Sequence, residues 1–372
     1  MIYGLLITAA VVVGLLVLLR SRGGKTTASP PVAAAKRSVR TREMIEAPPE
    51  DPPAAAAADD PETPEILREF HLLRGSELDA AARARVGGIC AAMPEPHPVQ
   101  TRLARGLDTP EELMAAVVSD AGLTATILRT VNSAAFGLST SITSVQHAIN
   151  YLGVSVVKGV VSQAALAERA EAGTPEQQRA LACVWKSACV ASAFAQLLGT
   201  ELGFARPSVL ATKSLFFNLG DVALILAVEG IEDAYDEGVG IVERVQRQQA
   251  LAGVNTAVVG SALAEAWSLP AELVAAIDTG LIPLATAPAE HPMDGAMRQE
   301  NIVLYLAGRI GDRATYRGLR DVAELPLGNP EEPGTFFLHG HLVAAGLERV
   351  PALLDDASFR RKANRMIGTL AG

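Results

Sequence analysis

Beyond residue 100 the chain repeatedly shows the start and stop signals of α-helices, and this repetition restricts its fold more than any other feature. Thr109 precedes Pro110 and Glu112, and the same order of threonine, proline and a Glu or Gln recurs at residues 174–177. A threonine side chain caps a helix start, and proline suits the first helical position. We therefore predict helices beginning at residues 110 and 175, with Gly199 ending the second.

Two further segments contain helix start or stop signals. In "SVQHAINYLG" four apolar residues share one helical face before Gly153: Val145, Ala148, Ile149 and Leu152. In "SLPAELVAAIDTG" Pro270 lies near the start of an apolar helix and Gly280 lies just past its end. No segment alternates polar and apolar residues over the length of a strand, and aromatic residues make up only 4% of the chain. The sequence predicts an all-α fold.

Composition limits the partners of this fold. The chain has 372 residues, 49% of them hydrophobic, which is enough for one large domain or two smaller ones. The formal net charge is −9, and no long basic stripe lies beyond the N-terminal region, so we expect no nucleic-acid partner. Cys90, Cys183 and Cys189 have spacings that fit no zinc motif. They are predicted to be buried thiols in a reducing compartment.

The first 19 residues predict a membrane anchor. Residues 1–19 contain no charged side chain and would span roughly 28 Å as a helix, close to the thickness of a bilayer core. A cleaved signal peptide is the alternative, but no basic residue precedes the apolar run and no convincing cleavage site closes it. Seven basic residues follow before the first acidic one, Glu43: Arg20, Arg22, Lys25, Lys36, Arg37, Arg40 and Arg42. The positive-inside rule therefore predicts a single-pass membrane protein with its C-terminal side in the cytoplasm.

Residues 20–64 are rich in proline, alanine and charge, and we predict a linker there. Its basic half could contact anionic lipid, or it could serve only as a topology signal. Residues 65–372 then form the helical domain.

Several separate motifs in this domain resemble the HDOD family of bacterial proteins. They are Leu128-Arg129, Asn132-Ser133, Phe136-Gly137, "SITSVQHAI", Leu152-Gly153, Trp185, "LFFNLGD" and Val258 to Ile277. The resemblance covers roughly residues 80–310, and the motifs fall in the order of the family. It implies an all-helical fold related to the HD-domain phosphohydrolases, in a family generally regarded as non-catalytic with regulatory roles in bacterial signalling.

The residues at the hydrolase ligand positions indicate a degenerate site. A hydrolase of this type needs imidazole and carboxylate ligands for divalent metal. By the resemblance, a histidine should follow Trp185, but Ser187 lies there, and Phe217 and Asn218 replace the central His-Asp pair. Later histidine positions fall near Thr256 and near Thr279-Gly280. We predict no catalytic residue, no metal and no cofactor.

Other candidates for chemistry have simpler interpretations. Asp221 could serve as a ligand after a one-residue slip, but we expect it to cap the helix that follows. His339 and His341 could share a metal only in a strand or loop, and a structural role is favoured for them and for His147. Cys183 and Cys189 fall on different faces of a helix, which disfavours a shared metal.

Two positions are predicted to be structural. Asn132, in "NSAAFG" with Ser133, Phe136 and Gly137, should bond backbone groups where a helix ends, although partner recognition is an alternative. Trp185 and Trp267 are expected to be large core residues.

Two functions remain open from the sequence. The first is a membrane-tethered, non-catalytic signalling or scaffolding module that binds a protein partner, or a nucleotide in the remnant cleft. The second is a residual metal-dependent phosphohydrolase acting on a cyclic dinucleotide or (p)ppGpp-like substrate. Stoichiometric metal in the purified protein would favour the enzyme.

Overall fold

A computed structural model describes residues 63–107, 109–132, 142–154, 157–161 and 174–371. Within these ranges the regular elements are all α-helices or short 3₁₀-helices, which confirms the predicted all-α fold class. These ranges all belong to one compact unit of the chain, Asp60–Gly372. The predicted anchor and nearly all of the predicted linker lie outside the described residues.

The helices fall into two groups along the chain. Before residue 160 they are α1 (Glu65–Arg68), α2 (Ala80–Ala92), α3 (Pro98–Gly106), α4 (Pro110–Val118), α5 (Ala121–Val131) and α6 (Val145–Leu152). After residue 174 they are α7 (Pro175–Leu202), α8 (Pro207–Phe216), α9 (Leu219–Ala227), α10 (Ile241–Ala252), α11 (Thr256–Ala266), α12 (Ala271–Thr279), α13 (Ile282–Ala285), α14 (Gly295–Tyr316), α15 (Leu338–Ala344), α16 (Val350–Asp355) and α17 (Ala357–Leu370).

The long helix α7 is the centre of the second group. It packs along α8 on one side and α14 on the other, and α9 packs against α11. Phe194 and Leu198 of α7 and Leu306 of α14 are completely buried, so these helices bury apolar surface against one another. A separate cluster of buried side chains lies among α3, α4, α5 and α6.

Two segments of the described chain are long and apolar enough to cross a membrane, Pro175–Leu202 and Pro207–Ala227. Two thirds of the most apolar part of each is buried inside the fold. Their hydrophobicity is therefore accounted for by the protein core.

The predicted starts of α4 and α7 are confirmed. Thr109 Oγ1 accepts a hydrogen bond from the backbone amide of Glu112 at 3.2 Å, and the Glu112 carboxylate accepts one from the Thr109 amide. Thr174 and Gln177 form the same reciprocal pair at the start of α7. Each pair satisfies two amides that have no partner within the helix.

The predicted end of α7 at Gly199 is wrong. The helix continues to Leu202 and ends at Gly203, whose φ of +80° suits a residue without a side chain. Gly199 is buried inside the helix, where a Cβ would come within 2.7 Å of the Leu210 side chain. Its small size therefore lets α8 approach α7.

The predicted bounds of α6 and α12 are confirmed. Ser144 Oγ accepts a hydrogen bond from the His147 amide at 3.0 Å, and α6 ends at Gly153 with a φ of +87°. The helix α12 lies between Pro270 and Gly280, as the sequence indicated.

Asn132 connects the end of α5 to the chain that enters α6. Its Nδ2 donates to the carbonyl oxygens of Leu128 and Ile142, both at 2.7 Å, and its Oδ1 accepts from the Ile142 amide at the same distance. These bonds are the structural role expected from the sequence. Ser133, Phe136 and Gly137 lie outside the described residues.

We expect Asn132→Ala to lower the free energy of unfolding by about 0.5–2 kcal/mol, because the amide and carbonyl of Ile142 lose their partner and the Leu128 carbonyl loses one of two donors. Chemical denaturation measures this change. Gln146→Ala is a matched control, since the Gln146 amide makes an exposed bond to the Asn150 side chain. Equal losses in the two variants would refute the structural role of Asn132.

Both tryptophans lie against one hydrophobic cluster. Trp185 of α7 is buried in it, as predicted. Trp267 is only half-buried and packs on the outside of the same cluster, so its description as a core residue is correct in part.

Candidate functional site

Five of the predicted hydrolase ligand positions line one cavity. Ser187, Phe217, Asn218, Thr256 and Gly280 surround a space of about 60 Å³. They come from the middle of α7, the break between α8 and α9, the start of α11 and the end of α12. The fold therefore brings together residues that lie far apart in the chain.

Phe217 and Asn218 occupy the break between α8 and α9. Both side chains are half-buried, and Asn218 Nδ2 donates a hydrogen bond to the carbonyl oxygen of Val184 at 3.2 Å. The Phe217 ring lies so close to Gly280 that a Cβ there would come within 3.0 Å of it. Phe217 and Asn218, the residues at the predicted position of a His-Asp pair, are thus used in packing α8 and α9 against α7 and α12.

Thr279 does not join this cavity. It lines a neighbouring pocket of about 330 Å³, and its carbonyl oxygen accepts a hydrogen bond from Asn301 Nδ2 at 2.9 Å. Of the later positions named from the sequence, Thr256 and Gly280 reach the cavity and Thr279 lies beside it.

Asp221 is not a helix cap, and that prediction is wrong. The helix α9 already begins at Leu219, which places Asp221 in the first turn. Its Oδ1 accepts hydrogen bonds from the Tyr235 hydroxyl at 2.9 Å and from Gln248 Nε2 at 3.0 Å. Burial raises the pKa of Asp221 although Arg244 and the hydrogen bonds oppose this change. The carboxyl group is therefore part of a buried polar network that lines the cavity.

The sequence interpretation missed a buried ion pair on the far side of the cavity. Arg244 of α10 donates from Nη1 to Asp312 of α14, and both side chains are almost fully buried. The Arg244 guanidinium also donates to two backbone carbonyls and lies 4.0 Å from the centre of the Tyr316 ring. Burial opposes its charge, but the Asp312 carboxylate raises the pKa of Arg244 above its ordinary value.

Arg309 is the second buried cation that lines the cavity. It lies one helical turn before Asp312, and its Nη1 is 3.5 Å from Asp312 Oδ2. Neither Nε nor Nη1 of Arg309 donates a hydrogen bond, although the residue is only 8% exposed. Arg309 and Asp312 interrupt the largely apolar segment "NIVLYLAGRIGDR", and this was the sequence signal for the buried ion pairs.

This set of side chains does not fit a divalent metal. Among the described residues, no group of three or more His, Cys, Asp or Glu side chains lies close enough to hold one. In the cavity the carboxylates are Asp221 and Asp312, and both already accept hydrogen bonds from protein donors. Phe217 has no lone pair to offer, and Asn218, whose Nδ2 donates to the Val184 carbonyl oxygen, could offer only a neutral amide oxygen.

The histidines singled out from the sequence do not meet one another. His339 is exposed on α15, whereas His341 is fully buried and its ring lies 5.3 Å from that of His291. His147 is half-buried and packs edge-to-face on Tyr151. The structural interpretation of His341 and His147 agrees with these contacts.

The pKa of His341 predicts acid-sensitive stability. Its Nε2 donates to the carbonyl oxygen of Thr286 at 2.8 Å, while its Nδ1 is buried without a partner. Burial lowers the pKa of His341 to about 4. Between pH 6.5 and 4 the unfolded chain therefore binds a proton that the folded chain excludes. The contribution of neutral His341 to the free energy of unfolding is therefore largest above pH 6.5. It decreases by up to about 3 kcal/mol as the pH falls toward 4.

His341→Gln should flatten this dependence, which denaturation curves at pH 7 and pH 5 measure. His339→Gln is the control, because His339 is an exposed neighbour on the same helix. An unchanged pH dependence in His341→Gln would contradict the assignment.

The three cysteines are free thiols. Cys189 is buried, and burial raises the pKa of its thiol to about 12, so it is unreactive. Cys90 and Cys183 are half-buried, which corrects the expectation that all three are buried.

The described part of the chain is an all-helical domain. Its cavity is lined by the buried ion pair of Arg244 with Asp312 and by packing residues such as Phe217. Residues 93–280, half of the chain, match the HDOD domain, and the chain therefore belongs to the HDOD family. No curated protein matches the sequence.

Several solved structures are similar to this chain. An HDOD domain protein of unknown function from Geobacter sulfurreducens is 18% identical, with a TM-score of 0.48 over 77% of this chain and 96% of that one. A candidate phosphohydrolase from Shewanella amazonensis is 20% identical, with a TM-score of 0.45 over 77% and 98% of the two chains. A candidate signal transduction protein from Marinobacter aquaeolei is 16% identical, with a TM-score of 0.46 over 80% and 67%. With TM-scores below 0.5, these likenesses add nothing to the family assignment.

Proposed function

We propose that this chain is a non-catalytic signalling or scaffolding module, tethered to a bacterial inner membrane by residues 1–19, that acts by binding a protein partner from the cytoplasmic side. The observation that carries the proposal is the structural role of Phe217 and Asn218. Where a hydrolase of the related type would hold metal, these side chains pack against Gly280 and bond the backbone of α7.

The charges around the cavity support the same proposal. A divalent metal site needs carboxylates and imidazoles whose lone pairs are free to bind the ion. Here Asp312 is bonded to Arg244, and the Arg309 guanidinium lies beside it. A divalent cation would meet two buried positive charges, which disfavours its binding.

The size of the cavity favours a protein partner over a nucleotide. Pockets for small molecules and cofactors commonly enclose about 300–1,000 Å³. The cavity encloses about 60 Å³, which leaves no room for a nucleoside. A partner would therefore contact the outer surface of the domain.

The membrane tether would raise the local concentration of the domain near other membrane proteins. A flexible linker of roughly 40 residues has a reach of about 35 Å. A docking module gains from this arrangement, because a tether makes its encounters with membrane-bound partners more frequent. An enzyme for a diffusible nucleotide gains little.

C-terminal fusions of the full chain test the topology. We expect a fluorescent protein that is active in the cytoplasm to function at this position and alkaline phosphatase to remain inactive. The basic residues between Arg20 and Arg42 are the reason, since they resist translocation. An active phosphatase fusion would place the domain outside the cytoplasm and refute the proposal.

The alternative, a residual phosphohydrolase, has one observation in its favour. Two carboxylates, Asp221 and Asp312, do line the same cavity. An enzyme would need both to leave their present partners and bind metal, so its activity should depend on each of them.

A further inference from the structure

The cavity contains hydrogen-bond donors that have no acceptor. Arg309 Nε and Nη1 donate no hydrogen bond. The Thr256 hydroxyl is buried close to the Asp221 carboxyl group. Arg309 is 8% exposed and Thr256 6% exposed, so bulk water has little access to either side chain. Leaving a buried donor of a charged group unsatisfied costs free energy of several times RT.

Two of the acceptor oxygens near these donors are already engaged. Asp312 Oδ1 accepts from Arg244, and Asp221 Oδ1 accepts from both Tyr235 and Gln248. Asp312 Oδ2 lies 3.5 Å from Arg309 Nη1, in ionic contact but without a hydrogen bond. Arg309 Nε and Nη1 therefore have no protein acceptor in hydrogen-bonding geometry among the described residues.

The charged groups of the cavity lining are two arginines and two carboxyl groups. The cations are Arg244 and Arg309, and the anions are Asp312 and, when ionised, Asp221. Burial raises the pKa of Asp221, which favours its neutral form. The two arginines therefore face one carboxylate, Asp312, that lies within ion-pair distance of both, and a second carboxyl group, Asp221, whose charged form is disfavoured by burial.

We infer that the cavity is a binding site for a small oxyanion of the phosphate or sulfate class, held by the Arg309 guanidinium and the Thr256 hydroxyl. A guanidinium is well suited to this role, because it stays charged and offers several N–H donors to anionic oxygens. A space of about 60 Å³ suits an ion of a few heavy atoms and excludes a nucleoside. An anion there would supply the missing acceptor.

The inference rests on the proposed function, because in a hydrolase the same ion would be a reaction product. The inference adds an oxyanion as a ligand of the proposed module. The stability of the domain would then depend on the concentration of that anion. The anion would bridge α11, which begins at Thr256, and α14, which carries Arg309.

Inorganic phosphate and sulfate are the probes, added to the full chain in detergent at constant ionic strength with chloride as the balancing salt. We expect a saturable rise in melting temperature, about 2–4 °C at a tenfold excess over the dissociation constant. Chloride alone should give no saturable rise. A response to phosphate and sulfate that is equal to the response to chloride would overturn the inference, because the cavity would then hold only water.

Arg309→Gln should abolish the saturable response. The exposed Arg365→Gln, which removes the same charge from the outer face of α17, should keep it. If Arg309→Gln fails to fold, Thr256→Val is the second variant, since it removes the buried hydroxyl at nearly constant volume. We expect it to weaken phosphate binding at least threefold, and unchanged affinity would contradict the site.

The same samples are assayed for hydrolysis of a cyclic dinucleotide. Hydrolysis would refute the proposed function whatever the phosphate response. Absence of both hydrolysis and a phosphate response would refute only the anion site.

Discussion

Replacing Gly220 with alanine is expected to lower the free energy of unfolding by at least about 3 kcal/mol. Gly220 of α9 lies against the start of α11, and a Cβ there would overlap the carbonyl oxygen of Thr256 and come within 2.7 Å of the Gly260 nitrogen. Both neighbours are backbone atoms of a helix, so neither can move without shifting α11. The two helices would have to separate, which would open the core around them.

Denaturant titration of Gly220→Ala against Gly87→Ala tests this prediction. Gly87 is also helical, in α2, and a Cβ there meets nothing within 4 Å. The control should stabilise the protein by up to about 1 kcal/mol, because alanine favours helix over glycine. Comparable stability of the two variants would show that the close contact of α9 with α11 is not required.

Asp312→Asn is expected to cost about 3–5 kcal/mol, because it leaves Arg244 and Arg309 buried beside a neutral side chain. Both guanidinium groups lie within ion-pair distance of this carboxylate. The remaining amide could accept one hydrogen bond but could not balance either charge.

Glu243→Gln provides the matched control for this prediction. Glu243 pairs with Arg247 on the same helix as Arg244, but both side chains are well exposed. Exposed pairs of this kind contribute less than about 1 kcal/mol. If Asp312→Asn destabilised the protein no more than Glu243→Gln, the buried network would have no structural importance.

The beginnings of helices could be predicted from the sequence because their signals are local. The Thr109 and Thr174 capping pairs each lie within four residues, and each forms as expected. The end of α7 could not be predicted in this way. Glycine is a residue type that commonly ends a helix, but the small size of Gly199 instead lets α8 pack closely against α7. That role depends on Leu210, which lies in another helix.

The site was predicted in part for the same reason. Motif order placed Ser187, Phe217 and Asn218 together, and they do line one cavity. The partners of Asp221 are Tyr235 and Gln248, which lie 14 and 27 residues away, so its bonds could not be deduced from its position next to Gly220. The pairing of Arg244 with Asp312 spans 68 residues and left only a weak sequence signal.

The measurement that tests the central claim most directly is a hydrolysis assay of the purified chain with added Mn²⁺, Fe²⁺ or Mg²⁺. Cyclic dinucleotide and (p)ppGpp are the substrates, and bound metal is quantified in protein purified without added metal. We expect no turnover and no stoichiometric metal, because the cavity offers two engaged carboxylates and no imidazole. Restoring the pair by Phe217→His and Asn218→Asp should create no activity, since Ser187 and Thr256 still provide no imidazole. Turnover by the unmodified chain that is lost in Asp221→Asn would contradict the non-catalytic assignment.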